Sequence, residues 1–340
     1  MKKKFLIRTL WFLLLLILIN VVLDQLYKNY VAHNILNNKK DRDFTNYNET
    51  LQYLSMGNSH NVVNTYILDN TYNYNSPAEN YVQTYYKLRS IIEEKNKKPQ
   101  NLLLFIDMSS FSPRAGKYFE HNSYWIKYID YFELARIKGD KNILNKWVEG
   151  KFFSYAGGYR EIMLTFVYLI KIGKLDLHNG YRSPRNYNNF AYEKPEDMGG
   201  FSVEENYDWS GARRVDKSEE KRRARYKSDI YFSMKGYFDP TLAIYFNKIL
   251  ELCHEHGIKV ILIRVPVTKA YWEYVSSKIP VDSLYDKIEG IYNRYPNVKK
   301  VLDYHDVFFL RPELFFDADH LNPEGAELFT KRLKEDLAVE

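Results

Sequence analysis

Two short segments near opposite ends of the chain contain the residue types of a serine acyl-transfer site. Gly57–His60 (Gly-Asn-Ser-His) ends an apolar run, and Asp317–Asn322 (Asp-Ala-Asp-His-Leu-Asn) lies late in the chain. A serine hydroxyl is a weak nucleophile, so acyl transfer needs a base within hydrogen-bond reach and a carboxylate that orients the base. The sequence therefore predicts Ser59 as the nucleophile, His320 as the base and Asp317 as the partner of His320.

Each segment taken alone has a simpler explanation. Gly-Asn-Ser is common in turns, and the late segment could be a polar loop that caps the last helix. Their combination, with each segment placed after a predicted strand, favours a catalytic site. Asp319 is the second choice for the orienting carboxylate, because we expect the turn to direct its side chain elsewhere.

Apolar runs and helical patterns alternate on both sides of a long polar stretch. The predicted strands are Thr50–Met56, Tyr72–Asn75, Leu102–Ile106, Val260–Ile263 and Val298–Tyr304. Such alternation predicts a parallel sheet covered by helices, with the site beyond the carboxyl ends of the strands. Four polar candidates follow predicted strands directly: Ser59, Asp107, Arg264 and His320.

Capping signals predict where several helices begin and end. Ser76, Pro77 and Glu79 have the spacing of an N-cap, a first helical proline and a capping-box glutamate. Asp239-Pro240 predicts the start of a later helix that Gly257 ends, and 323–337 predicts a terminal amphipathic helix. Residues 62–68 predict one or two helical turns after Ser59.

The alternation is interrupted over about 112–238, which we interpret as an insertion that is partly helical and partly loop. Helical spacing occurs at 125–134, 143–152 and 159–175, and 176–235 is polar. The basic run Lys217–Lys227 is typical of a solvated helix face. The alternative is a contact with an anionic polymer or with lipid headgroups.

The N-terminus predicts a membrane anchor. Lys2, Lys3, Lys4 and Arg8 precede an apolar stretch that reaches Leu23, and no small-residue cleavage site follows. We therefore predict an uncleaved transmembrane helix at 1–26, a tether at 27–49 and an α/β domain at 50–340. The basic flank places the N-terminus in the cytoplasm and the domain outside the cell membrane.

Composition narrows the function classes further. The net charge of +6 is modest, and we expect no nucleic-acid partner for an exported domain. Cys253 is the single cysteine, so no internal disulfide can form. Cys253–His256 (Cys-His-Glu-His) resembles a metal site only superficially, because adjacent ligands on a helix point in different directions. The sequence predicts no metal and no cofactor.

The two catalytic segments resemble the first and last conserved blocks of the SGNH/GDSL-type hydrolases. That family has a three-layer α/β/α sandwich with a central parallel sheet, and the resemblance covers residues 50–110 and 240–340. It implies the same roles for Ser59, His320 and Asp317. Asn58 departs from the family pattern, where Asp is more usual.

The resemblance also implies oxyanion donors after the second and third strands. The second position falls at Asn75 and Ser76, where a backbone N–H could serve. Asp107 stands at the third position, where the family has asparagine, and a carboxylate there would oppose an oxyanion. Asp107 is therefore expected to orient a neighbour or to be structural. Arg264 could hold a substrate carboxylate or phosphate, or could form a structural ion pair.

The anchor together with the late Asp-x-x-His-Leu-Asn segment is similar to membrane-anchored proteins of polysaccharide O-acetylation and of D-alanine transfer to teichoic acid. That similarity implies a cell-surface polysaccharide as substrate and a polytopic membrane-bound O-acyltransferase as partner. It implies an O-acetyltransferase that forms an acyl-Ser59 intermediate. The alternatives are a carbohydrate esterase of the same fold and a non-catalytic anchoring subunit for the acyltransferase.

Overall fold

The computed structural model describes residues 2–31, 36–47, 50–76, 78–117, 122–155, 217–234 and 236–339. The chain divides into two compact units. The first comprises Met1–Arg42 and Phe119–Tyr187, and the second comprises Asp43–Tyr118 and Asn188–Glu340. All the site residues predicted from the sequence lie in the second unit.

The second unit is built on a five-stranded sheet with the order β2-β1-β3-β4-β5, and all neighbouring strands are parallel. The strands are β1 (Tyr53–Met56), β2 (Thr71–Asn73), β3 (Asn101–Phe105), β4 (Lys259–Arg264) and β5 (Val298–Asp303). The predicted mixed α/β class with a parallel sheet is confirmed. Strand order reverses between β1 and β3, and in open parallel sheets this point forms a crevice at the carboxyl ends.

The α-helices are numbered here along the described residues. They are α1 (Lys2–Leu26), α2 (Leu36–Asn46), α3 (Tyr81–Glu93), α4 (Asn122–Trp125), α5 (Tyr131–Lys138), α6 (Ile143–Phe152), α7 (Lys217–Phe232), α8 (Pro240–Glu255), α9 (Lys269–Ser276), α10 (Val281–Tyr292) and α11 (Pro323–Ala338). Helix α8 begins after the N-cap Asp239, whose side chain accepts from two backbone N–H groups. The predicted helices at 239–257 and 323–337 are confirmed.

The central strands β3 and β4 are buried over almost their whole length, which explains their continuous apolar sequence. Alternate side chains of these strands pack with side chains of α11 in one core cluster. The cluster includes Leu103, Phe105, Ile261, Ile263, Phe329 and Leu333. The intervening residues point to the opposite face of the sheet because of the pleat. The core therefore fixes the strand ends that carry the site.

The N-terminal helix is long and apolar enough to cross a membrane. The candidate span covers Lys2–Asn29; its most apolar 18-residue window has a mean hydropathy of 2.5, and none of that window is buried within the protein. The segment predicted as a tether contains a π-helical turn at Tyr27–Val31 and helix α2, so it is partly helical.

The predicted start of α3 is wrong. The N-cap is Asn80, whose side chain accepts from Gln83 N, while Gln83 Oε1 accepts from Asn80 N (2.9 Å). This reciprocal pair is a complete capping box, and it outcompetes the start signal at Ser76. The N–H of Ser76 donates instead to Gly57 O (3.1 Å) and ties the chain to the loop after β1.

The insertion agrees with the sequence only in part. The helix predicted at 125–134 is divided, because α4 ends at Trp125 and Asp130 caps a new helix, α5. The prediction at 143–152 is confirmed by α6. The helix predicted at 159–175 lies outside the described residues, as does most of 176–235. The basic run belongs to α7.

Replacing Gly325 by alanine should destabilise the protein by about 2 kcal/mol, since overpacking a fixed backbone typically costs this much. An added Cβ would lie 2.3 Å from Leu314 O and 2.9 Å from Leu321 Cδ2. The matched control is Gly290→Ala in α10, where nothing lies within 4 Å of the added atom. That change should be neutral or stabilising, because alanine is a better helix former than glycine. Thermal unfolding of both variants measures the difference, and equal melting temperatures would contradict the prediction.

Candidate active site

Ser59 lies in a turn at the carboxyl end of β1. Gly57 has φ +138°, a conformation that favours glycine, and lets the chain leave the strand sharply. Between Ser59 and β2 the described chain contains no helix; Leu68 N donates to Asn64 O (3.1 Å) in a single turn. The one or two helical turns predicted at 62–68 are thus reduced to this one turn.

The loop of Asp317–His320 is held tightly in place. An antiparallel bridge between Phe315 and Leu321 closes the loop of Asp317–His320. Thr268, at the N-cap of α9, donates from its backbone N and from Oγ1 to Ala318 O, both at 3.0 Å. The loop is thus fixed from both sides before the following helix, α11, begins.

Ser59, His320 and Asp317 lie within hydrogen-bond distance of one another in series. Ser59 Oγ is 2.9 Å from His320 Nε2, and His320 Nδ1 is 2.9 Å from Asp317 Oδ1. The tautomer with its proton on Nδ1 donates to Asp317 and accepts from the Ser59 hydroxyl, which satisfies both bonds. Asp317 Oδ1 also accepts from His320 N (3.0 Å), so the carboxylate is held in place by its own turn.

Asp319 also faces His320, contrary to our expectation that it would point elsewhere. Its Oδ1 lies 3.0 Å from His320 Nδ1, at ion-pair distance but without hydrogen-bond geometry. Asp317 is therefore the hydrogen-bonded partner, and Asp319 is a second, buried carboxylate. Burial alone would lower the pKa of His320, but Asp317 and Asp319 raise it above its ordinary value.

His60 joins the same network, which the sequence did not indicate. Its Nδ1 lies 3.1 Å from Asp107 Oδ2 and its Nε2 lies 3.2 Å from Asp319 Oδ2. Burial alone would lower the pKa of His60, but the two carboxylates raise it to about 10. His60 is therefore a buried imidazolium at neutral pH, with its ring centre 4.4 Å from that of His320.

Asp107 orients its neighbours, as its position suggested. It accepts from Ser109 N and Ser110 N, both at 2.8 Å, and caps the 3₁₀ helix Met108–Phe111. It also accepts from Asn58 Nδ2 (3.1 Å) in the turn beside the nucleophile. Burial alone would raise the pKa of Asp107, but His60 and these donors hold it well below its ordinary value.

Lys227 is the residue of this site that sequence reasoning missed most clearly. Its Nζ lies 2.9 Å from Asp317 Oδ2, 3.1 Å from Asp319 Oδ1 and 3.3 Å from His320 Nδ1. Burial alone would lower the pKa of Lys227, but the carboxylates of Asp319 and Asp317 raise it above its ordinary value. A fixed ammonium ion therefore lies beside the His320 imidazole.

The ligand atoms of His60, Asp319 and His320 lie within 4.8 Å of one another, a spacing that a metal ion could bridge. A divalent cation here would meet the Lys227 ammonium, which already contacts Asp319 and His320. Two such charges at contact distance repel strongly in a buried site. We therefore infer that Lys227, and not a metal ion, is the cation that contacts both Asp319 and His320.

The hydrogen-bond donors predicted at Asn75 and Ser76 are engaged within the protein. Asn75 Nδ2 donates to Asn61 O (2.7 Å) and to Asn58 O (3.3 Å). The Ser76 N–H donates to Gly57 O (3.1 Å). Both residues brace the turn that carries Ser59.

Arg264 lies at the end of β4 in a structural setting. Its Nη1 is 2.5 Å from Asp303 Oδ2, and its guanidinium lies 3.6 Å from the ring centre of Tyr285. Arg264 does not line the pocket beside Ser59 in the described part of the chain. The geometry matches the ion-pair alternative for this residue.

Ser59 and Ala78 line the same pocket, and the backbone N–H groups of both donate to no backbone acceptor within the described residues. Ala78 has φ +53°, an uncommon conformation for a residue other than glycine. Strained backbone of this kind collects at functional sites. Ser59 and Ala78 are the candidates for an oxyanion hole.

A pocket of about 180 Å³ opens beside the nucleophile. Ser59, Ala78, Arg114 and Tyr231 are among the residues that line it. Its volume is well below the roughly 300–1,000 Å³ of typical ligand sites. The space next to Ser59 suits a small group.

Comparison with protein families gives no matching family, and comparison with curated proteins gives no significant match.

Proposed function

We propose that the protein is a membrane-anchored serine enzyme that transfers an acyl group, most readily acetyl, onto a cell-surface polysaccharide. The observation that carries the proposal is the hydrogen-bonded series from Ser59 through His320 to Asp317. The pocket of about 180 Å³ supports a small acyl group. Ser59 follows the carboxyl end of β1, next to the point between β1 and β3 where the strand order reverses and where sites lie in parallel sheets, which supports the proposal.

The proposed reaction has two half-steps. Ser59 Oγ attacks the carbonyl carbon of an acyl donor while His320 Nε2 takes the hydroxyl proton, and Asp317 stabilises the resulting imidazolium. The negative oxygen of the tetrahedral intermediate accepts from the N–H groups of Ser59 and Ala78. The intermediate expels the donor's leaving group, which receives the proton from His320. A sugar hydroxyl, deprotonated by His320, then attacks the acyl carbon of the acyl-Ser59 ester. The bond between the acyl carbon and Ser59 Oγ breaks, His320 returns the proton to Oγ, and the acylated sugar leaves.

The strand order and the two catalytic segments support an SGNH-type hydrolase relationship. Asn58 and Asp107 depart from that family's pattern, and here they bond to each other (3.1 Å). This pair replaces a side-chain oxyanion donor with a structural contact. The proposed oxyanion hole therefore relies on backbone donors.

The apolar N-terminal helix supports anchorage in a membrane. With basic residues at its start, the proposed orientation has the N-terminus in the cytoplasm and the sheet domain outside. The acyl donor in this arrangement is a polytopic membrane-bound O-acyltransferase. If water replaces the sugar hydroxyl, the same chemistry makes the protein a carbohydrate esterase.

Covalent trapping tests the proposal. Full-length protein in detergent micelles is mixed briefly with 4-nitrophenyl acetate, quenched in acid and digested, and the acetylated peptide is identified by mass spectrometry. The acetyl group should be found on Ser59. Added oligosaccharide should increase 4-nitrophenol release if a sugar hydroxyl is the better acceptor, whereas an unchanged rate with acetate as the product favours the esterase.

The matched control is Ser276→Ala, which removes an exposed hydroxyl at the end of α9. This variant should trap acetyl on Ser59 as the parent protein does. If acetyl groups are found on many surface residues and Ser59 is unmodified, the proposal of an acyl-transfer enzyme is refuted. The alternative of a non-catalytic anchoring subunit would then be favoured.

A further inference from the structure

Helix α7 turns one side toward the catalytic loop, although its sequence is typical of a solvated helix. Arg223, Lys227 and Tyr231 are spaced by four residues and therefore share one stripe of the helix. Arg223 Nη1 donates to Phe316 O (2.8 Å), directly before the loop. Lys227 contacts the loop carboxylates, and Tyr231 lines the pocket beside the nucleophile. The predicted insertion thus supplies one wall of the site.

Lys227 offsets part of the negative charge next to the His320 imidazole. The carboxylates of Asp317 and Asp319 lie 2.9 and 3.0 Å from Nδ1. The Lys227 ammonium lies 3.3 Å from the same nitrogen. The ring centre of His60 lies 4.4 Å from that of His320, but the charge of His60 is already opposed by Asp107 as well as by Asp319. Without Lys227 the imidazole would therefore face one more uncompensated negative charge.

The groups that surround His320 come from every element packed against it. The groups in contact with His320 are Ser59 and His60 after β1, Lys227 on α7, and Asp317 and Asp319 on its own loop. Around them, Asp107 after β3 and Tyr231 on α7 contact His60, and Tyr271 on α9 interacts with Asp319. Among the described residues, Lys227 is the cation that contacts both loop carboxylates.

We propose that Lys227 is a positioning residue for acyl transfer, which holds Asp317 and Asp319 against His320 and offsets part of their charge so that the base gives up its proton at a lower pH. The inference rests on the proposed function, since it concerns the base of that reaction. A histidine that faces uncompensated carboxylates retains a proton. A protonated imidazole cannot accept the Ser59 proton, so the first half-step would stop.

The test measures the rate of Ser59 acylation by 4-nitrophenyl acetate against pH, in full-length protein and in Lys227→Met and Lys227→Arg. Lys227→Met should shift the acidic limb of the pH–rate profile to higher pH by about one to two pH units, as expected for the loss of a neighbouring positive charge. Below that limb the rate should fall about 10- to 100-fold, because each pH unit is a factor of ten in the neutral base. At high pH the rate should recover.

Two comparisons separate this role from a structural one. Lys227→Arg keeps the charge, so its limb should stay near that of the parent protein. Lys278→Met removes a surface partner of Asp229 and should leave the profile unchanged. An equal loss at every pH, or the same limb in Lys227→Met as in the parent, would overturn the proposal. Loss of activity on chelation and recovery with Zn²⁺ would also overturn it, since a metal would then be the cation.

Failure of the proposed function can be told apart from failure of this inference. If Ser59 is never acylated, the proposed function fails. An NMR titration of His320 in the full-length protein, assigned with His320→Gln, still measures whether Lys227→Met raises the pKa of His320. If Lys227→Met does not fold by circular dichroism, Lys227→Gln takes its place in both measurements.

Discussion

Replacing Ser59 by alanine should reduce acetyl-ester turnover by roughly 10⁴-fold or more, to the rate left by binding and backbone donors alone. The Oγ atom that alanine lacks is the one bonded to His320 Nε2 at 2.9 Å. His320→Gln should reduce turnover to the same residual rate, and so should the double variant Ser59→Ala/His320→Gln. Residues that act as one unit lose nearly everything at the first substitution. Steady-state hydrolysis of 4-nitrophenyl acetate measures all three.

A second histidine–aspartate pair offers the matched control. His305 Nδ1 lies 2.8 Å from Asp303 Oδ1 just after β5, and no serine hydroxyl contacts that imidazole within the described chain. His305→Gln should therefore keep the parent rate. Losses that add in the double variant would argue against a single Ser59–His320 unit, and a large loss in His305→Gln would point to a different base.

Replacing Lys87 by methionine should lower the free energy of unfolding by about 3–5 kcal/mol, the usual result of breaking a buried ion pair. Lys87 and Glu79 are paired with both side chains 0% exposed. Lys87 Nζ also donates to Tyr74 O (2.6 Å) and to Ser76 Oγ (3.3 Å). The change leaves the Glu79 carboxylate buried without its cation. Urea unfolding of the full-length protein measures the loss.

The double variant Glu79→Leu/Lys87→Met serves as the control for charge. It should recover most of the lost stability, because removing both charges also removes the uncompensated one. Lys331→Met breaks a surface pair with Glu327 and should change stability by less than about 1 kcal/mol. A double variant as unstable as Lys87→Met would mean that packing, and not charge, dominates at this pair.

The strands β3 and β4 could be predicted because they are buried on both faces and are apolar except at their end residues. Helix α8 could be predicted because Asp239 and Gly257 mark both of its ends. The start of α3 could not, since Ser76 and Asn80 both carry valid start signals. Only the tertiary bond from Ser76 N to Gly57 O decides between them. Local capping preferences differ by too little to make that choice.

Ser59, His320 and Asp317 could be chosen from residue type and strand position. Lys227 could not, because nothing in a basic helix tells which of its charges meets a carboxylate 90 or more positions away. Asp319 was misjudged for a related reason. A turn allows both of its carboxylates to face one imidazole when a cation offsets their repulsion, and the sequence did not reveal that cation.

The bond between Ser59 and His320 joins residues 261 positions apart. Its formation requires that the sheet, the loop of Asp317–His320 and the last helix have all docked, so the reactivity proposed for Ser59 depends on the complete tertiary structure. If Ser59 is activated as proposed, a fluorophosphonate reagent added during refolding would label it only after the segments around residues 59 and 320 have come into contact. The rate of labelling would then report the last stage of folding.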